Sequence, residues 1–403
     1  MADIGALRPA GEQDVICGVP ARFVAAPATI DEASAVVREA AAHDLSIVVR
    51  GAGTKQDWGS PPRRVDLILD TGKLTGVVEH AAGDLITVVR AGTPLAQLQA
   101  QLGSAGQELA IDTPLPGATV GGAVAVNTSG PRRMAYGTLR DLIIGVTLVL
   151  PDGTVAHAGG KVVKNVAGYD LGKLITGSYG TLGLIAECAF RLHPRPTATA
   201  VLRRRIDGPA ELAALVTAVL GAQVVPGALE VDAPADGDMQ LAVALSGVPE
   251  GVSQRAATAA QLLGGDLATG EPDWWGAYPW RVGDCGIKLT SALSQLPGLL
   301  AAAVTARESH GVALAVRGSA GSGVLYAGMP GETDPALAVR VVDDLRTSAA
   351  EAGGHAVVLT APAAIRDRVD LWGPVPGLAV MRRLKAQFDP TARFAAGRFA
   401  GGI

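Results

Sequence analysis

Residues 113–130 read Thr113-Pro114-Leu115-Pro116-Gly117-Ala118-Thr119-Val120-Gly121-Gly122-Ala123-Val124-Ala125-Val126-Asn127-Thr128-Ser129-Gly130. The stretch is too long and too rich in small residues to be an ordinary loop. Bare backbone on this scale suits a wall against which a large flat ligand lies. Thr119, Asn127 and Ser129 can add side-chain hydrogen bonds to such a ligand. Tyr136-Gly137 and Asp141 follow, then a strand expected over residues 145–150 and a turn at Pro151-Asp152-Gly153.

Upstream lies Val49-Arg50-Gly51-Ala52-Gly53-Thr54, directly after a strand expected over residues 46–49. Glycines in that position let backbone N–H groups approach a phosphate closely, although a tight turn would use the same residues. A Rossmann fingerprint would need a third glycine and then a helix. Gln56-Asp57-Trp58-Gly59-Ser60-Pro61-Pro62 cannot open one, so a pyrophosphate held here would sit on a loop. Downstream, Lys164-Asn165-Val166-Ala167-Gly168-Tyr169-Asp170-Leu171 runs on to Gly177-Ser178-Tyr179-Gly180-Thr181-Leu182-Gly183-Leu184-Ile185. Its glycine-bearing turns beside apolar residues again suit tight packing against a planar group.

In this order and spacing the segments resemble the FAD-binding domain of PCMH-type flavoproteins, the vanillyl-alcohol oxidase superfamily, over about residues 15–196. Within it they are similar to the glycolate oxidase/D-lactate dehydrogenase branch. The wording from Val163 to Gly183 is more similar still to the smaller flavin subunit of glycolate oxidase (glycolate dehydrogenase), the E subunit. Phe388-Asp389-Pro390 and Gly397-Arg398 resemble that branch's C-terminal segment.

The resemblance implies an α+β fold: a two-subdomain PCMH-type FAD-binding domain followed by an α+β cap domain with an antiparallel sheet. By the same resemblance Arg50, Gly51, Ala52, Gly53, Thr54 and Lys55 would hold the pyrophosphate. Pro116, Gly117, Ala118, Thr119, Gly121 and Gly122 would line the flavin and its ribityl chain. Asn127, Ser129 and Gly130 would complete that wall, with Tyr136 and Gly137 beside it, and Gly180, Thr181, Gly183 and Ile185 would meet the adenosine or pyrophosphate end. Covalent attachment in the superfamily typically uses a His in the pyrophosphate loop. Residues 50–60 contain none, so the FAD is expected to be non-covalent. Two wordings depart from the pattern: Tyr179 stands where many relatives carry Glu, and Ala395-Ala396-Gly397-Arg398 replaces N-P-G-R.

Length and texture divide the 403 residues into three spans. An FAD-binding domain is expected over 1–196, a cap or interface domain over 197–365, and a segment returning to the first domain over 366–403. In the first span Thr29 and Glu32 form a capping-box pair for a helix with Ala33, Val36, Val37 and Ala40 as its apolar stripe, ending near His43. Thr93-Pro94 starts another, with Leu95, Leu98 and Leu102 on one face. His193-Pro194-Arg195-Pro196 reads as a linker. Beyond it, strands expected over 200–206, 240–245, 313–316, 323–328 and 355–359 alternate with helices over 211–220, 253–263 and 336–352.

Hydrophobic residues make up 48% of the chain, yet the apolar runs fall well short of the roughly 20 residues a spanning helix needs. Asp3, Glu12 and Asp14 interrupt the first twenty residues, which lack the apolar core of a signal peptide. The expected compartment is therefore the cytoplasm, with any peripheral membrane association running through partners. A net charge of −4 without a Lys/Arg run excludes a nucleic-acid partner. Cys17, Cys188 and Cys285 give neither a zinc signature nor an iron–sulfur ladder, and read as buried small hydrophobes. The six histidines are scattered, so no metal site is expected.

Oxidising a 2-hydroxy acid needs a cation for the carboxylate, a base for the hydroxyl proton and a flavin facing the α-carbon. The cap half offers one dense cluster, Trp274-Trp275-Gly276-Ala277-Tyr278-Pro279-Trp280-Arg281. Arg281, Lys288 or Arg317 can grip a carboxylate, while His310 and His355 are nominal bases. The aromatic cluster itself reads as packing between domains or as a surface for a partner subunit. The resemblance implies a subunit that helps to oxidise glycolate to glyoxylate beside a larger FAD-binding catalytic subunit and an iron–sulfur subunit. A free-standing 2-hydroxyacid dehydrogenase and a non-catalytic electron-relay or scaffold subunit are the alternatives.

Overall fold

The structure, a computed structural model, describes residues 7–160 and 169–403. The expected motif Lys164-Asn165-Val166-Ala167-Gly168 lies outside the described residues. Contacts divide the chain into two units. One takes the described residues up to Thr128, those of Gly137–Arg195, and Pro374–Ile403; the other takes Ser129–Tyr136 and Pro196–Gly373.

The first unit holds two sheets. In the smaller, strands Leu7–Pro9, Phe23–Ala25, Leu67–Asp70 and Ile47–Arg50 lie in that order, the last three mutually parallel. Parallel strands need a crossover, and the helix Ile30–Ala42 supplies one, connecting Phe23–Ala25 to Ile47–Arg50. Its Thr29 side chain accepts from the Glu32 N–H at 3.1 Å, and Ala33, Val36, Val37 and Ala40 are buried as the periodicity requires. The larger sheet is antiparallel throughout, in the order Val155–Gly159, Ile143–Val149, Leu184–Arg191, Ile86–Arg90, Val77–Ala81. Val149, Leu184 and Ala186 from it join Ala33, Val37 and Leu69 in one core, which ties the two subdomains together. The segment 193–196 is not a bare connection: His193–Pro194 pairs with Gln107–Glu108.

The second unit is built on an eight-stranded antiparallel sheet. Its order is Leu267–Thr269, Ala198–Ile206, Met239–Gly247, Ala228–Ala233, Ala315–Ser319, Val324–Met329, Cys285–Thr290, Ala356–Thr360. One face carries Leu202, Val231, Leu241, Val243, Val316, Leu325, Ala327, Ile287 and Leu289, which share a core with the helices Pro209–Gly221, Leu296–His310 and Pro335–Glu351. Strand period 2 sends the alternate residues to the other face. The sequence reading lacked the strands Ala228–Ala233 and Cys285–Thr290, and the helix Leu296–His310. Ala-Leu-Glu-Val-Asp-Ala looks too acidic for a central strand, yet all six of its residues are buried.

Candidate functional site

The strand Ile47–Arg50 ends in the loop that carries Gly51–Gly53, and Gly53 turns it at φ +76°. Beside it, the small-residue stretch is not all loop: Val120–Val126 is a short helix capped by the Thr119 hydroxyl, which accepts from the Gly122 N–H at 3.4 Å. A Cβ on Gly51 would collide with that Thr119 hydroxyl, and one on Gly121 would lie 2.7 Å from the Ala91 methyl. These glycines are thus closely opposed to the neighbouring elements, whereas a Cβ on Gly122 meets only the Thr119 hydroxyl, at 3.1 Å. The third side is the turn 177–183. Tyr179 adopts a left-handed φ of +56°, costly for a residue with a bulky side chain. Its N–H donates to the Ala125 carbonyl at 2.8 Å.

Together these segments line one open cleft, with a cavity volume of about 90 Å³. Of the residues expected to hold the cofactor, Gly51, Ala52, Gly53, Thr54, Lys55, Thr119, Gly121, Gly122, Gly180, Gly183 and Ile185 line it. Sequence reasoning missed Val126, Tyr179 and Arg398 among its walls. Among the described residues, no Asp or Glu lines it, but two cations do, Lys55 and Arg398. Burial pushes Lys55 down to about 8. A bare-backbone cradle with two cations and no carboxylate fits a dinucleotide diphosphate with a flat ring system beside it.

The remaining expected residues lie elsewhere. Arg50 is held by Asp14 at 2.8 Å and by Asp70 at 2.8 Å, so its guanidinium serves an ion-pair network at the strand end. Gly117 turns at φ +80°, where a Cβ would lie 3.9 Å from the Thr54 methyl, and Ala118 is buried next to it; neither these nor Pro116 line the cleft. Asn127 caps the helix Val120–Val126 at φ +51° and accepts from the Arg140 N–H. Gly137 turns against Asp141, and the Thr181 hydroxyl donates to the Ser178 carbonyl. Ser129, Gly130 and Tyr136 belong to the second unit.

On the face of the second unit's sheet opposite that core, the register sets Lys288 opposite Tyr326, Tyr326 opposite Arg317, and Arg317 opposite Asp232. Arg317 is already committed: its Nε donates to Asp232 at 2.7 Å and its Nη1 to the carbonyls of Ala277 and Tyr278. Arg281 and His355 are exposed, the latter at the start of an edge strand. Lys288 differs. Among the described residues its ammonium has neither hydrogen bond nor carboxylate, and burial, helped by nearby Arg133, pushes it down to about 8. Arg133 donates to the Ser129 hydroxyl at 3.0 Å, and both residues hydrogen-bond Tyr326, whose phenol burial pushes up. The sequence offered no sign that Arg133, 155 positions before Lys288, would stand beside it.

The aromatic segment packs onto this same face. Tyr278 stacks on Trp280 with ring centroids 4.4 Å apart, and Tyr326 meets Tyr278 edge-on at 4.9 Å. The cross-strand pair Gly286 and Gly328 forms the slot for Trp280, since a Cβ on Gly286 would lie 2.5 Å from the indole.

Residues 21–159 match the family described as FAD binding domain. The chain is 39% identical to glycolate oxidase subunit GlcE of Escherichia coli over 173 residues, 42% of this chain and 49% of that one. It is 32% identical to glycolate oxidase subunit GlcD of Bacillus subtilis over 208 residues, and 35% identical to D-lactate dehydrogenase of Archaeoglobus fulgidus over 175 residues. These alignments cover 44% and 39% of those relatives, so the chain spans about half the length, or less, of the curated relatives it matches. Among solved structures, p-cresol methylhydroxylase with substrate bound superposes with a TM-score of 0.72 at 18% identity, covering 94% of this chain and 89% of that one. Chitooligosaccharide oxidase gives 0.70 at 16% identity, covering 97% and 96%. The chain therefore has the α+β fold of the PCMH-type, vanillyl-alcohol oxidase superfamily flavoproteins, with an FAD-binding domain over residues 21–159 and FAD as its cofactor.

Proposed function

We propose that the chain is the FAD-binding subunit of a glycolate oxidase-type complex, oxidising a small 2-hydroxy acid such as glycolate to glyoxylate. The observation that carries this reading is the pair of cations Arg133 and Lys288 set around Tyr326 on one sheet face, neither of which has a salt bridge among the described residues, with buried Glu230 also in electrostatic range of Tyr326. Two half-buried cations with no ion-pair partner among the described residues are costly, and a substrate carboxylate would relieve that cost. The planar fork of Arg133 suits one carboxylate edge, and the Lys288 ammonium a single oxygen. FAD supplies the acceptor for the electron pair leaving the α-carbon. Electrons would then pass to an iron–sulfur partner, since Cys17, Cys188 and Cys285 are buried and are the chain's only cysteines. The names of the GlcE and GlcD relatives, each a glycolate oxidase subunit, support a multi-subunit complex, in which a larger FAD-binding subunit would be the second partner.

The test is reduction of the bound flavin by glycolate and by D-lactate, in the isolated chain and in the co-expressed complex. Lys288→Met should raise KM at least about tenfold, the effect of losing roughly 1.4 kcal/mol of binding. Flavin in this chain that no 2-hydroxy acid bleaches, in a complex that assembles normally, would leave an electron-relay or scaffold subunit.

A further inference from the structure

The C-terminal segment touches two of the three walls of the cleft. Phe394 lies parallel to Ile47, with the Ala395 N–H donating to the Ile47 carbonyl and the Ile47 N–H to the Arg393 carbonyl, each at 2.8 Å. This continues the small sheet beyond the strand that carries the glycine loop. Arg398, only 4% exposed, donates from Nη2 to the carbonyls of Gln56 at 2.8 Å and Trp58 at 2.7 Å, gathering the far end of that loop. The Arg63 and Ser60 N–H groups donate back to Ala396 and Arg398.

On the opposite side, Lys385 donates to the carbonyl of Thr181 at 2.6 Å, inside the turn that forms the third wall. Asp389 and the Phe394 carbonyl complete its coordination at 2.7 and 2.9 Å. The Phe399 ring lies 5.7 Å from that of Tyr179, the left-handed residue of the same turn. Two buried cations of one segment thus satisfy backbone carbonyls of two loops that share no strand. A backbone carbonyl left unpartnered in such a place is expensive.

We propose that residues 385–399 act as a strap across the FAD site, with Arg398 and Lys385 as positioning residues, so that docking of the strap and binding of FAD are one coupled equilibrium. The two loops hold their cleft-lining shape only while the strap is seated, and a cofactor bound between them holds the strap in turn. Coupling of this kind is reciprocal: whatever factor the strap adds to FAD affinity, FAD adds to strap docking. The inference concerns the cofactor site alone and stands whatever the substrate is.

Two measurements test it. Apoprotein variants are titrated with FAD by flavin fluorescence. Arg398→Met, which takes the guanidinium from both carbonyls and leaves that of Gln56 only the weak Cys17 thiol donor, should weaken FAD binding about tenfold or more, while Arg398→Lys, which keeps a cationic donor, should restore most of it. Amide exchange is then compared in wild-type apo and FAD-loaded protein. FAD should slow exchange at the Ala395 N–H, which lies against Ile47 and outside the cleft lining, by a factor comparable to the loss in Arg398→Met. An unchanged FAD affinity in Arg398→Met, or an exchange rate at Ala395 indifferent to FAD, would overturn the strap. Should Arg398→Met fail to fold, the exchange comparison on wild-type protein decides alone.

Discussion

Adjacent glycines in the cleft wall have different roles. A Cβ at Gly121 meets the Ala91 methyl at 2.7 Å, so Gly121→Ala should destabilise the fold by about 1–3 kcal/mol, read as a lower Tm with FAD present or absent. Gly122 has only the Thr119 hydroxyl at 3.1 Å, and it faces the cleft. Gly122→Val should therefore give folded but colourless protein, and full flavin occupancy would mean that this surface is not the wall. Lys288 makes a prediction of another kind. Burial pushes it down to about 8, below its unfolded value of roughly 10.4. Between those values the unfolded chain binds more protons, so stability gains a contribution as pH rises across the window. Anion binding runs the opposite way, because the ammonium is lost as pH rises through about 8. The Kd for a non-oxidisable carboxylate such as oxalate should accordingly climb above pH 8 in the wild type. In Lys288→Met that climb should be absent, and the rise of stability with pH shallower.

At the scale of elements, the second unit's sheet gives its two faces different work. One is an apolar floor for helices; the other carries Lys288, Tyr326, Arg317 and Asp232 in one cross-strand row. The aromatic segment from Trp274, which the sequence suggested as interdomain packing or as a partner surface, lays Tyr278 and Trp280 on this second face. Gly286→Ala should cost about 1–3 kcal/mol by driving a methyl into the Trp280 ring, visible as a lower Tm without change in FAD affinity. The same lack of effect on Tm for both Gly286→Ala and Trp280→Ala would show that the slot is not a packing contact. In the first unit, the capped helix Ile30–Ala42 follows the sequence reading closely, because its cap, stripe and length are all local. Thr29→Ala should cost about 1 kcal/mol there.

For the whole molecule, the sequence makes a chemical statement about how the cofactor is held. The loop 50–60 contains no histidine, so acid precipitation should leave FAD in the supernatant, and flavin retained by the denatured chain would refute non-covalent binding. Among the described residues no helix is long and apolar enough to cross a membrane. Much of the cleft's lining was legible because its determinants are short-range: glycines after a strand, small residues in a row, and a turn that needs positive φ are written in consecutive positions. Gly51, Thr119, Gly121 and Gly183, expected on these grounds, line one cleft in the structure. What could not be read were partnerships between residues far apart in the chain. Nothing at position 398 announces that its guanidinium closes on the carbonyls of Gln56 and Trp58, and nothing in Ser129–Tyr136 announces that it joins the second unit. Arg50, which local wording assigned to a pyrophosphate, is taken by Asp14 and Asp70. Local sequence determined which backbone could approach a flat anionic cofactor, because that depends on φ and on the absence of Cβ atoms. Which cations remain unpaired depends on where distant carboxylates and carbonyls come to rest, and only the tertiary structure decided that.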